Sequence, residues 1–181
     1  MLVEALRRAK QLAMQGTGVF ASPALLQFLT ANHDRSSFND PAILQDFLRL
    51  DDHDVMGAVT VWAQHPDKVL SAVCDDLVHR RTYRIRLQDR PWEPERIARI
   101  KAAAAKHTGC APEQADHFVL TGRVVNNAYD PSKDRIDLHY KDGTLRDIAA
   151  ASDNHGILAL SRPVEKWYLA FPRWLGKEWF E

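Results

Sequence analysis

Net charge is the first thing this sequence lacks: 24 Lys and Arg residues balance 24 Asp and Glu. No global field therefore draws the chain toward nucleic acid. Cysteine is nearly absent, and Cys74 and Cys110 show neither metal-ligand nor redox spacing, so both read as reduced, buried thiols. No apolar run reaches the length of about 18 residues that a membrane span needs. Met1 leads into a charged amphipathic segment rather than a signal peptide, which makes the cytoplasm the expected location and excludes a membrane partner. A Gly-rich phosphate loop, a GxSxG elbow and a Cys-His nucleophile pattern are all missing. No active site can be assembled from the residues that remain, so the chain alone is not expected to be a catalyst.

What is present is an ordinary soluble composition, 45% hydrophobic and 27% charged over 181 residues, enough for one domain or two small ones. The chain is organised around residues 50–88. Asp51 or Asp52 can cap a first helix in which Val55, Val59 and Trp62 share a face. Pro66 starts a second, with Asp67 in its first turn, where an acid suits the helix dipole. Leu70, Val73, Cys74 and Leu77 make its apolar side, and the spacings Asp75–His79 and Asp76–Arg80 balance its polar side. After Arg81 the period changes from helical to alternating. Tyr83, Ile85 and Leu87 then point one way, and Thr82, Arg84, Arg86 and Gln88 the other.

Before this stretch the pattern is helical. Residues 2–15 form a stripe of Leu2, Leu6, Ala9 and Ala13 that stops near Gly16, and Ser22-Pro23 and Asp40-Pro41 each open another helix. The first helix starts directly at Met1, without a disordered lead-in, which is the expectation for a chain cut from, or restarted within, a longer protein. After the stretch come a helix from Pro94 to about His107 with Ile97, Ile100 and Ala104 buried, and a strand at 118–125. A half-buried strand carrying Ile136, Leu138 and Tyr140 follows, then a turn at Lys141-Asp142-Gly143, a short helix over IAAAS or GILAL, and a last strand at 164–171. The predicted class is α+β: a helical bundle at residues 1–80, a ferredoxin-like βαββαβ lobe at 81–172, and an aromatic tail at 173–181. Trp174, Trp179 and Phe180 in that tail are expected to dock on the bundle or on a neighbouring subunit.

Several stretches together carry a resemblance. They are MLVEALRRAKQLAMQGTGVFASPAL, LDDHDVMGAVTVWAQHPDKVL, HRRTYRIRL and GRVVNNAYDPSKDRIDLHYKDGTLRDIAAAS. The chain resembles the C-terminal region of bacterial HD-domain metal-dependent phosphohydrolases, a group related to the vertebrate SAM- and HD-domain dNTP triphosphohydrolase. The resemblance spans almost the whole chain and omits the catalytic HD domain. It implies an accessory, regulatory and oligomerising region whose partners are that HD domain, further copies of itself and an effector nucleotide. The parent reaction it implies is metal-dependent phosphoester hydrolysis, such as release of triphosphate from a dNTP, with the divalent metal held upstream and no cofactor in this chain. In the nucleotide-activated members a basic residue, three residues and a second basic residue precede this strand and contact the activator. On that likeness Arg80 and Arg84 would hold nucleotide phosphates, as guanidinium forks do.

The His-Asp dipeptide occurs twice, as His33-Asp34 and His53-Asp54. An HD metal set needs a His, an adjacent His-Asp pair and a distant Asp. Asn32-His33-Asp34-Arg35 is instead a polar loop and Asp51-Asp52-His53-Asp54 a helix cap, so no metal site is expected in this chain. His65 reads as a packed or capping residue at a helix corner, and Asp134 and Asp137 as loop and exposed-strand residues. Two other readings make different demands. A stand-alone ferredoxin-like module for RNA or single-stranded nucleic acid would need aromatic RNP positions, which no stretch supplies. An autonomous hydrolase built on His53 and Asp54 would carry stoichiometric metal.

Overall fold

The computed structural model describes residues 1–126, 135–151, 164–176 and 179. These form two compact units: residues 1–86, 93–120 and 169–181, and residues 87–92 with 121–168. The α+β class expected from the sequence is what the chain adopts.

Six helices build the first unit: α1 (Leu2–Met14), α2 (Pro23–Thr30), α3 (Pro41–Arg49), α4 (Asp52–Trp62), α5 (Lys68–Val78) and α6 (Pro94–Thr108). Their starts follow side-chain chemistry. Ser22 Oγ accepts from the Leu25 N–H at 3.3 Å, and Asp40 accepts from Ala42 N–H at 2.8 Å. Asp51 and Asp54 close a reciprocal capping box at the start of α4. At α5 the boundary differs from the expectation. Pro66 lies outside, and Asp67 is the cap itself, its carboxylate accepting from Leu70 N–H at 2.8 Å.

The core lies among these helices. Trp62, Phe118, Phe171, Leu70, Ile100, Val59, Val73 and Cys74 are fully enclosed. Burying each large apolar side chain is worth roughly 1.5–3 kcal/mol. Trp62 satisfies its indole N–H on the Phe20 carbonyl at 2.8 Å, so it adds area without an orphaned donor. The sequential boundary at residue 80 does not divide the chain in this way. Ile100 and Ala104 put α6 into the same core, and Leu169 to Phe171 and Leu175 bring the C-terminal segment there too.

The strands are β1 (Arg84–Gln88), β2 (Leu120–Asn126), β3 (Asp137–His139), β4 (Leu145–Asp147) and β5 (Val164–Phe171), with a one-turn α7 at Ile148–Ala151. Among the described residues they form a three-stranded sheet in the order β1-β5-β2 and a separate β3-β4 hairpin. This corrects the ferredoxin-like plan, in which the last strand would lie at an edge of one four-stranded sheet. Here β5 is central, because the short β3 and β4 pair with each other. The hairpin aligns Asp137 with Asp147 and His139 with Leu145, and turns through Gly143 at φ 85. Asp142 accepts from Thr144 N–H at 2.9 Å and from its hydroxyl at 2.7 Å.

No described residue of the second unit is buried. Ile136, Leu138 and Tyr140 are 52%, 38% and 39% exposed, so the half-buried strand expected there is an exposed one. Within this unit Gly122 permits a close approach: a Cβ on it would stand 2.7 Å from the Tyr168 ring. The expected loop at 127–134, with Asp134, and the second candidate helix at 156–160 lie outside the described residues.

Candidate functional site

The basic cluster lies where α5 ends, and the backbone there follows a specific rule. His79 is the last half-helical residue; Arg80 N–H reaches back to the Leu77 carbonyl at 3.1 Å, and Arg81 N–H to the Asp76 carbonyl at 2.7 Å. That pair of bonds is a Schellman motif. It forces the residue between them into the left-handed region, where glycine has no steric penalty and other residues do. At the end of α6 glycine takes the position, with Gly109 at φ 64. At the end of α5 an arginine takes it: Arg80, at φ 55, is the one described non-glycine residue with positive φ.

Side chains then sort the arginines. Asp76 is 4% exposed, and its carboxylate accepts from Arg81 Nε at 2.7 Å and from the Trp174 indole N–H at 3.2 Å. Asp75 pairs with His79 at 3.0 Å and with the far end of the Arg81 guanidinium. The expected Asp75–His79 pair therefore forms. The Asp76–Arg80 pair does not, because the left-handed turn hands Asp76 to Arg81. Arg80 is exposed, and its side chain has no partner among the described residues. Arg84 opens β1, half-buried, and carries interactions of its own.

The turn is pinned on its other side as well. Tyr83 is buried, its hydroxyl reaching the His117 carbonyl at 3.4 Å; burial, with Asp76 and Glu4 nearby, raises its phenol well above the usual range. Ile85 and Leu87, assigned to the same face from their spacing, are 63% and 59% exposed, so only Tyr83 of the three reaches the core. Arg173, from the C-terminal segment, donates through Nε to the Thr82 carbonyl at 3.0 Å. Next to it Trp174 stacks on His107 with ring centres 4.4 Å apart, and meets Phe118 edge-on. Of the aromatic tail, Trp174 reaches the expected bundle through Asp76, while its ring contacts, and those of Trp179 with Arg99, fall on residues that the sequence reading placed in the lobe; Phe180 lies outside the described residues. An open groove of about 500 Å³ runs beside the turn, lined by Lys68, Ser71, Asp75, His107, Thr108 and Trp174.

The histidine pairs serve local structure. Asp34 accepts from Ser36 Oγ, Ser37 N–H and Ser37 Oγ, which hold its carboxyl down at about 2, while His33 faces the Gln27 carbonyl at 3.3 Å. Asp54 belongs to the capping box, and the His53 side chain is 96% exposed. These are not donors converging on one point. No group of three His, Cys, Asp or Glu side chains is arranged for a metal ion among the described residues. His65 bonds the Asp67 N–H through Nδ1 at 3.0 Å, as a capping residue does. His117 is buried between Glu4 at 3.1 Å and Gln11 at 3.3 Å, and Arg8 forks onto Asp67 beside them. Sequence reasoning gave Asp76 to Arg80 rather than to Arg81, and missed Arg173 and Trp174 as parts of the turn. No local signal could have shown the last two, since 91 residues separate Arg173 from Thr82.

Among the described residues, no helix is long and apolar enough to cross a membrane. No family model matches the chain, and no curated protein does. Among solved structures it is similar to a phosphohydrolase from Bacteroides thetaiotaomicron VPI-5482, with a TM-score of 0.85 and 40% sequence identity. The likeness covers 94% of this chain and 42% of that one, so the chain spans less than half the length of its neighbour.

Proposed function

We propose that this chain is the accessory, regulatory and oligomerising part of an HD-type nucleotide phosphohydrolase, and that Arg80, with Arg84, receives the phosphates of an effector nucleotide. The observation that carries the reading is Arg80 itself. A left-handed position that glycine fills without strain holds an exposed arginine whose charge no described acid neutralises. A residue kept in a sparsely populated conformation points to a task outside the fold. The likeness to a phosphohydrolase more than twice as long supports the reading of this chain as part of such an enzyme. The hydrolysis of the parent, and the divalent metal that would polarise the phosphoester there, belong on this reading to a domain that this chain does not contain.

The test is equilibrium binding of dNTPs and NTPs to the 181-residue chain at low ionic strength, beside Arg80→Ala. Removing one charged phosphate donor should weaken binding by about tenfold or more. Absence of nucleotide binding, or tighter and strongly salt-dependent binding of oligonucleotides, would overturn the effector reading in favour of a nucleic-acid module.

A further inference from the structure

We infer that Arg173 is a third phosphate ligand at the basic turn, so that the site takes a polyphosphate chain rather than a single phosphate; this rests on reading Arg80 as a phosphate-binding residue. Arg173 begins a short 3-10 turn, Arg173–Leu175, whose backbone is fixed by the buried Phe171, Pro172 and Leu175. Its Nε is used in donating to the Thr82 carbonyl at 3.0 Å. The two Nη groups carry the rest of the fork, the side chain is exposed, and no described acid pairs with it. A guanidinium anchored through Nε and open at its Nη edge is pre-organised for two parallel bonds to phosphate oxygens.

Its anchor places it between the two expected ligands. Thr82 is two residues from Arg80 and two from Arg84, and two residues span at most about 7 Å of backbone. Arg81 shows the contrasting case in the same turn. Its guanidinium is used up on Asp75 and Asp76, and that pairing offsets one of the two negative charges that would otherwise repel an anion. The turn thus sets one arginine aside as structure and leaves Arg80 and Arg173 facing outward, on separate backbone segments. Two such cations suit a di- or triphosphate, whether inorganic or carried by a nucleoside.

The test is calorimetric titration of the whole chain with sodium tripolyphosphate and, separately, with dGTP. The informative variant is Arg173→Gln. The Gln Nε2 stands where the Arg Nε stands, so the bond to Thr82 is kept while the charge and the Nη fork are removed. The expected result is about tenfold weaker tripolyphosphate binding with an unchanged thermal midpoint. An equal affinity for dGTP identifies the polyphosphate as the ligand; a higher one adds contacts to the base, and both support the inference. If Arg173→Gln binds like the unaltered protein while Arg80→Ala does not, Arg173 is only a structural tie, and the reading of Arg80 survives. If the unaltered chain binds neither compound, both fail.

Discussion

Replacing Arg80 with glycine should make the protein more stable and its hold on phosphate weaker. The two effects have separate causes, which is what makes the substitution useful. A β-carbon in the left-handed region costs roughly 1–2 kcal/mol, and Arg80 sits at φ 55 with that cost in place. Glycine removes it but brings more unfolded-state entropy, roughly 0.5–1 kcal/mol. The net gain is therefore up to about 1.5 kcal/mol, centred on about 0.75, and no side-chain bond within the described residues is lost to set against it. For a chain of this size such a gain moves the thermal midpoint by about 1–4 °C. Alanine keeps the β-carbon, so Arg80→Ala should leave stability nearly unchanged while losing the same phosphate contact. Urea unfolding followed by circular dichroism reads the gain as a higher midpoint at constant slope. If Arg80→Gly is destabilising, or if Arg80→Ala stabilises as much, the Schellman account of this turn is wrong. If both variants bind tripolyphosphate like the parent protein, Arg80 is a strained residue without the role given to it.

Two further outcomes test other parts of the fold. Gly122→Ala sets a Cβ against the tip of the half-exposed Tyr168 ring, which must shift, and should cost at most about 1 kcal/mol, the low end of overpacking. Adding Tyr168→Ala should recover part of that loss, and strict additivity of the two changes would show that no clash exists. Burial pushes the Asp67 carboxyl up, but the bonds from Arg8 and from Leu70 N–H outweigh it and hold the group below its ordinary value. A depressed carboxylate contributes stability that is present above its unfolded pKa and is lost as pH falls through the folded one. Stability should therefore decline as pH drops below about 4, the ordinary aspartate value. Asp67→Asn should be less stable at neutral pH and show a shallower acid decline; an unaltered acid slope would mean that the Arg8–Asp67 fork contributes little.

Local rules carried much of the helical part. The caps at Ser22, Asp40 and Asp51, the stop at Gly109 and the buried face of Ile100 and Ala104 follow from interactions within a few residues, where spacing is itself the geometry. Strand faces were less legible. The alternation of Tyr83, Ile85 and Leu87 told correctly that the segment was extended, but not that its outer two residues lack a covering layer. The order β1-β5-β2 was not readable either, since strand order depends on pairings between distant segments that a regular alternation does not encode.

The candidate site divides in the same way. Arg80 and Arg84 stood out because a run of basic residues after a helix is visible in one line of sequence. Which of the arginines is free was not visible. A four-residue spacing assigned Asp76 to Arg80, and only the reversal of the backbone at φ 55 transfers it to Arg81. Sequence alone determined the helices, most of their caps and the presence of a basic run at the end of α5, because those rest on contacts made within one or two turns of chain. Tertiary structure decided the central place of β5, the sequestering of Arg81 and the arrival of Arg173 at Thr82. Each of these needs segments far apart in the chain, or a left-handed turn set by the packing around it, to meet at one point in space.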